Sequence, residues 1–263
     1  MTPITLQPTD LAIAALLLVA DGTLSIALGL GVHRRLAIAG LRMVVQLLLV
    51  GVILRLVFSL ASPALTLLLV VVMALIATRE IAARPQARLD RWGNTAIAAT
   101  AVGVSTGLTA ILALTTAIRP HPWWDPHYAI PLTGIILGSV LNSASLALDA
   151  VLRAAQQQRA AIEARLALGT PYNQAIRPIV QDAARIGLLP VVNQMSAAGI
   201  ITLPGIMTGQ ILAGMDPMDA VKYQILLMFL LAGSSGLAAV LTAILTARRL
   251  TDTSDRLRLD KLR

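Results

Sequence analysis

ALTLLLVVVMALIAT, residues 64 to 78, holds no charged side chain, and its reading decides the solvent in which the chain folds. Strands of a membrane barrel alternate apolar and polar residues over about ten positions. This run is apolar on every face, so it is helical and satisfies its backbone groups within itself. Comparable runs lie near Leu11 to Val32, Arg42 to Leu60, Thr95 to Ile118, Ala129 to Leu152, Gly187 to Leu212 and Val221 to Ala247. A helix needs about 20 such residues to cross a hydrocarbon core of roughly 30 Å. Composition agrees, with 57% hydrophobic and 13% charged residues and a mean hydropathy of +0.78. Soluble domains carry about 45–50% and 25%.

The expected fold is therefore all-α and polytopic, with about seven transmembrane helices in one membrane domain over residues 1 to 263 and no soluble enzyme domain. The segment Met1 to Asp10 has no Lys or Arg to form the basic region of a signal peptide, so the first span is expected to be retained. Cysteine is absent, which removes disulfides and thiolate metal sites.

Basic residues in short connections stay on the cytoplasmic side. Arg34, Arg35 and Arg42 are placed inside. So are Arg79, Arg84, Arg88 and Arg91, then Arg153, Arg159, Arg165, Arg177 and Arg185, and the tail from Arg248 to Arg263. Only Arg119 and Lys222 fall at the other ends. The N terminus is thus expected outside and the C terminus, with tail 248 to 263, in the cytoplasm. The +8 net charge reads as topology. Nucleic acid needs aromatic platforms or a recognition helix, and 3% aromatics with scattered arginines supply neither. The tail either touches anionic lipid or is simply solvated. The loop RPHPWWDPHY at 119 to 128 is expected outside, with Trp123, Trp124 and Tyr128 at headgroup level. His121 and His127 read as interfacial anchors or as a weak metal pair.

ATP hydrolysis by a phosphate-cradling loop needs glycines followed by Lys and Ser or Thr. The chain has two lysines, Lys222 and Lys261, neither in that setting. No catalytic residue and no cofactor are expected in this chain. Any ATP and Mg would be bound by a separate subunit.

A place for such a subunit to dock is the segment 153 to 186. Arg153 to Leu168 is rich in strong helix formers, Gly169 supplies a stop, and Thr170 with Pro171 restarts a helix. A helix-turn-helix on the cytoplasmic face is expected between spans five and six. The run Glu163, Ala164, Arg165, Leu166, Ala167, Leu168, Gly169 is similar to the ABC-permease loop in which Glu-Ala-Ala is followed after three residues by Gly. Arg165 departs from that pattern. In that superfamily the short helix fits a cleft on the ATPase, which implies a coupling role for Glu163, Arg165, Leu168, Gly169, Thr170 and Pro171. The plain alternative is a short interfacial helix with no partner.

Span six carries Asn193, Gln194, Met195, Thr202, Pro204, Gly205, Met207, Thr208 and Gln210. Polar groups at membrane depth need partners or water, and Pro204-Gly205 breaks the helix, as interrupted helices do beside substrate sites. Helix packing also uses small and polar residues. Candidate pathway residues are Asp21, Gln46, Glu80, Asn193, Met195, Met207 and Gln210. Asp21, mid-span, either lines the path or pairs with Arg42, Arg55 or Gln46. Glu80 either admits a metal or pairs with Arg79. Met195 and Met207 would be soft metal ligands beside Asp21, or gap fillers.

LPGIMTGQILAG at 203 to 214 and DPMDAVKYQI at 216 to 225, with ALGTP at 167 to 171 and the Arg79-Glu80-Ile81 triplet, closely resemble the FetB-type ABC permeases. These are bacterial iron-export permeases related to plant aluminium-tolerance membrane subunits. The resemblance covers nearly the whole chain. It implies a permease homodimer with two separate ATPase subunits, moving iron or another metal across the bacterial inner membrane. A non-metal solute stays open, as does a secondary transporter or channel working alone. The latter would want ionisable residues on several spans, where only Asp21 and Glu80 offer themselves. An intramembrane enzyme would need a nucleophile and base or a metal centre inside the bilayer, and the lack of Cys, of His within a span and of a metal motif counts against it.

Overall fold

Proline after an acidic or hydroxyl residue opens three of the long helices. Asp125 accepts the N–H of His127 at 2.9 Å just before Pro126, and Asp216 accepts those of Met218 and Asp219 before Pro217. Ser62 precedes Pro63 without a side-chain cap, its carbonyl accepting the N–H and the hydroxyl of Thr66, each at 3.0 Å. A proline at the first helical position loses nothing, because its N–H would have no partner there. The result, in a computed structural model that describes residues 7–85, 87, 89, 92–252 and 254–262, is a chain of helices. Arg88, Arg91 and Arg263, named above for orientation, lie outside the described residues.

The elements are α1 (Pro8–Ala27), α2 (His33–Leu60), α3 (Pro63–Ala83), α4 (Gly93–Leu112), α5 (Pro126–Gln157), α6 (Arg159–Ala167), α7 (Tyr172–Ala175), α8 (Arg177–Ala197), α9 (Gly205–Leu212) and α10 (Pro217–Arg249). A π turn, Ala113–Ala117, prolongs α4. Among the described residues, six helices are long and apolar enough to cross a membrane: α1, α2, α3, α4 with its π turn, α5 and α10. The protein is an all-helical, multi-pass membrane protein.

Three expected boundaries shift. α2 begins at His33 rather than Arg42, so Arg34, Arg35 and Arg42 are helical; no helix breaker follows Val32, and charge alone does not stop a helix. α3 runs on to Ala83, carrying Arg79 and Glu80. The expected sixth span is two helices: α8 starts ten residues before Gly187 and ends at Ala197, and α9 begins at Gly205.

Two compact units divide the chain, one holding α1 and α2 with Leu212–Gly214, the other the remainder. In the first, the α1–α2 connection turns on Gly29 (φ +64°) and Gly31 (φ +68°), values that cost glycine nothing. Ser25, buried, closes the turn: its carbonyl accepts Leu30 N–H at 2.9 Å and its hydroxyl accepts Val32 N–H at 3.1 Å. Nearly every other side chain of the two helices is exposed, which in a bilayer places lipid where water would be.

In the second unit α5 and α10 pack on each other and both on α8 and α4, and α3 packs on α5 and α4. Lipid tails are as apolar as leucine, so packing of small residues, rather than hydrophobic burial, holds such helices together. Gly187 marks the closest approach. A Cβ there would stand 2.8 Å from Ala239 Cβ, 2.8 Å from the Ser143 carbonyl oxygen and 3.2 Å from Ala147 Cβ, so α8 meets α10 and α5 at one point. Nearby, the Ser139 and Ser235 hydroxyls share a 2.6 Å hydrogen bond between α5 and α10. Bonds of this kind inside membranes contribute about 0.6 kcal/mol on average.

Candidate functional site

The expected helix-turn-helix is present in detail. α5 ends at Gln157, the chain kinks at Gln158, and α6 carries the rest of the predicted helix to Ala167. Gly169 then adopts φ +85°. Its N–H bonds to Leu166 O and that of Thr170 to Arg165 O, both at 3.0 Å, so the turn satisfies the last carbonyls of α6 in the manner of a left-handed cap. Pro171 caps α7, and its carbonyl receives Gln174 N–H and Ala175 N–H. Arg165 fastens the two limbs, donating to Ala175 O at 3.2 Å. Glu163 pairs with Arg159 along α6 at 2.8 Å. Leu168 stands at the tip, 87% exposed.

Behind this tip lies Tyr172, whose ring is buried. Its hydroxyl donates to Ala247 O at 2.7 Å, tying the turn to the end of α10. Burial, and after it the charge of Asp255, hold the phenol well above its ordinary pKa. The C-terminal tail is ordered here as well. Thr251 pairs with Leu257, and Arg258 N–H bonds to Leu250 O at 2.8 Å. Asp252 accepts Ser254 N–H at 2.9 Å and Arg256 N–H at 3.0 Å. Those N–H groups, with the charges of Arg256 and Arg258, hold its carboxyl below the usual range against the opposing effect of burial. Leu257, Leu259 and Leu262 pack on the core, so the tail is more than the solvated charge run expected of it. Between the tail loop (Asp255, Arg256) and the turn (Glu163, Gly169, Pro171) opens a cleft of about 690 Å³.

The break between α8 and α9 is self-satisfied. Ala197 O accepts Ile201 N–H at 3.0 Å, Thr202 N–H at 3.1 Å and the Thr202 hydroxyl at 3.3 Å. Gly199 (φ +83°) donates to Thr202 O at 2.9 Å. Non-helical backbone at membrane depth survives only when it is paired in this way or hydrated. Asn193 and Met195 are exposed on the last turns of α8, whereas Met207 and Gln210 are half-buried on α9. Gln210 Oε1 is buried without a hydrogen-bond partner, a polar atom that costs stability unless something meets it.

Asp21 and Gln46 stand exposed on α1 and α2, with no hydrogen bond between them. Glu80 is half-buried on α3 and engaged by a neighbouring group. Among the described residues no three His, Asp or Glu side chains gather where one metal ion could be held. His127 Nδ1 lies 3.0 Å from Asp125 Oδ1, and Trp123 is exposed at the same loop.

Sequence reasoning missed Tyr172 and the tail loop. The signals were an aromatic residue directly after Pro171 in a segment of Ala, Arg and Gln, and the leucines at 250, 257, 259 and 262 among the tail charges.

Comparison with known proteins adds the family. A model of an uncharacterised protein family, UPF0014, matches residues 8–251. A UPF0014 membrane protein of Synechocystis, slr1647, is 41% identical over 216 residues, 81% of each chain. The "Probable iron export permease protein FetB" of Escherichia coli is 30% identical over 84% of this chain and 83% of its own length. The rice UPF0014 membrane protein STAR2 is 31% identical over 84% of this chain and 76% of its own. No solved structure matches. With both the family model and these relatives spanning most of its length, the chain belongs to the UPF0014 family of membrane proteins.

Proposed function

We propose that the chain is the membrane permease of an ABC transporter, driven by a separate ATPase subunit that docks on the turn at Gly169 and exporting a metal ion, iron first among candidates. The observation that carries this reading is the turn itself: a rigid, internally bonded tip with Leu168 almost wholly exposed and a buried tyrosine fixing its base. A free-standing loop would have no reason to hold a leucine outward on so fixed a support. The relative named as an iron export permease supports the substrate class. The permease would work as a homodimer in the bacterial inner membrane, with the turn and the tail in the cytoplasm and the N terminus outside. ATP and Mg would sit on the partner. The partner must bind two states of the permease with different affinity, since equal affinity shifts nothing. Asp21 and Gln46 in the first unit, and Glu80, Asn193, Met195, Met207 and Gln210 in the second, are each proposed as pathway residues, the thioethers and carboxylates being the groups a metal would use.

The test is ATP hydrolysis by the permease co-purified with its co-expressed ATPase in lipid vesicles, scanned against iron, other divalent metals and organic solutes. Stimulation by a metal, lost in Leu168→Asp, supports the reading. Stimulation by an organic solute alone would keep the ABC permease and discard the metal. No bound ATPase, together with gradient-driven flux through the permease alone, would replace it with a secondary transporter.

A further inference from the structure

One concavity in the second unit has the shape of a chain. It lies between α3 and α4, is bordered by Trp123 and Trp124, and has a volume of about 470 Å³. Val70, Val71 and Ala74 form one wall, and Gly103 and Gly107 open the other; no charged side chain lines it. Thr66 turns its hydroxyl onto Ser62 O at 3.0 Å. The neutral Thr106 hydroxyl, buried and without a partner, is also on the wall.

Gly103 and Gly107 stand one turn apart, the spacing with which membrane helices bring their backbones together. Here a Cβ built on either glycine meets nothing within 4 Å. The room that a neighbouring helix takes in such motifs is open. Its dimensions say what fits. The α4 wall runs from Val102 to Leu114, about 18 Å at 1.5 Å per residue. Spread over that length, the volume open to the centre of a water-sized sphere has a mean cross-section of about 26 Å², so the groove is about 9 Å from wall to wall. A helix with its side chains is about 10–12 Å wide and can lie only over the mouth, leaving the floor empty. A string of methylenes reaches the floor. The length is also close to half of the roughly 30 Å hydrocarbon core, the depth of one leaflet.

We infer that this groove holds one acyl chain of a membrane phospholipid, drawn from the leaflet on the Trp123 side, with the two indoles at the level of the headgroup boundary they favour. Bulk lipid is as apolar as the wall, so selection comes from fit: a chain in the groove gains contacts with the packed walls of two helices, and an empty groove would forfeit them. An anionic headgroup or a metal ion finds no charged partner among the lining residues. The inference does not depend on the ATPase reading.

Native mass spectrometry of the protein, extracted from membranes and washed in delipidating detergent, counts the phospholipids that stay bound. The expected result is one retained phospholipid per chain. Its occupancy should fall at least tenfold in Gly107→Leu and in Val70→Phe, which fill the groove from opposite walls. Val104→Phe, on an exposed position of α4 outside the groove, should keep it. If Gly107→Leu does not fold, Val70→Phe decides. A wild-type protein that retains no phospholipid, or retention unchanged by filling, overturns the inference. So does loss of a dimer in Gly107→Leu with lipid retention intact, which would make the groove a contact between copies.

Discussion

The hydroxyl of Tyr172 donates a 2.7 Å hydrogen bond to the carbonyl oxygen of Ala247, 75 residues further along the chain. The bond joins the base of the exposed turn to the end of the longest helix, and both partners are buried. In the proposed coupling, this bond is the link through which a load on the turn would reach α10. Tyr172→Phe keeps the ring and leaves a buried carbonyl unpaired, at a cost of about 1–3 kcal/mol. A lower melting temperature in detergent, with weaker ATPase stimulation than the stability loss accounts for, is expected from calorimetry and vesicle assays together.

Gly169→Leu tests the turn differently. A Cβ at Gly169 meets nothing within 4 Å, so the cost is that of the left-handed conformation, about 1–2 kcal/mol, borne at the turn alone. Membrane insertion and the melting of the helical bundle should hold, while ATP hydrolysis by the proposed ATPase partner should lose its response to substrate. An unchanged response would remove the turn from the mechanism.

At Gly187 the added methyl of alanine would run into a backbone carbonyl and two side-chain carbons. Gly187→Ala should destabilise the protein by about 1–3 kcal/mol, read as a drop in melting temperature. Gly233→Ala, also helical but open to added atoms, should instead be neutral or gain up to about 1 kcal/mol from helix propensity.

Asp252 supplies a pH dependence. Its folded pKa lies below the ordinary value, so its contribution is fully present above the unfolded value of about 3.9 and is lost as pH falls through the folded one. Hydrogen exchange at Ser254 and Arg256 should be flat from pH 5 to 8, after correction for intrinsic rates, and lose protection only below about pH 4.

Asp21→Asn removes a charge from an exposed site on α1. A carboxylate at membrane depth is costly, so expression and melting should hold or rise, and metal transport into vesicles should fall. Equal loss of folding and transport would mark Asp21 as a structural ion-pair partner instead.

The spans were legible because apolar length is a local property: 64 to 78 announces a membrane helix without reference to anything else. The Gly169 turn was legible for the same reason, since glycine, threonine and proline act on their own backbone. The start of α2 was misread because Arg34, Arg35 and Arg42 looked like a connection, while the glycines that turn the chain, Gly29 and Gly31, lie before them. The extent of the α8–α9 break was hidden: Pro204-Gly205 flagged it, yet helix ends at Ala197, where the carbonyl is taken by Thr202. Tyr172 stood out only as an aromatic after Pro171, and its role was hidden because its partner is a main-chain oxygen that only tertiary packing brings near.

The contact at Gly187 sets the kinematics of the second unit. Where α8 touches the backbone of α5 and the Cβ of a residue on α10, no long side chain lies between them to yield, and sliding one helix past the others would drive atoms into contact within a fraction of an ångström. Relative sliding of these three helices is therefore restricted at this point, and the nearest interruptions of the chain, Gln158 and the turn at 198–204, are where a bend would cost least.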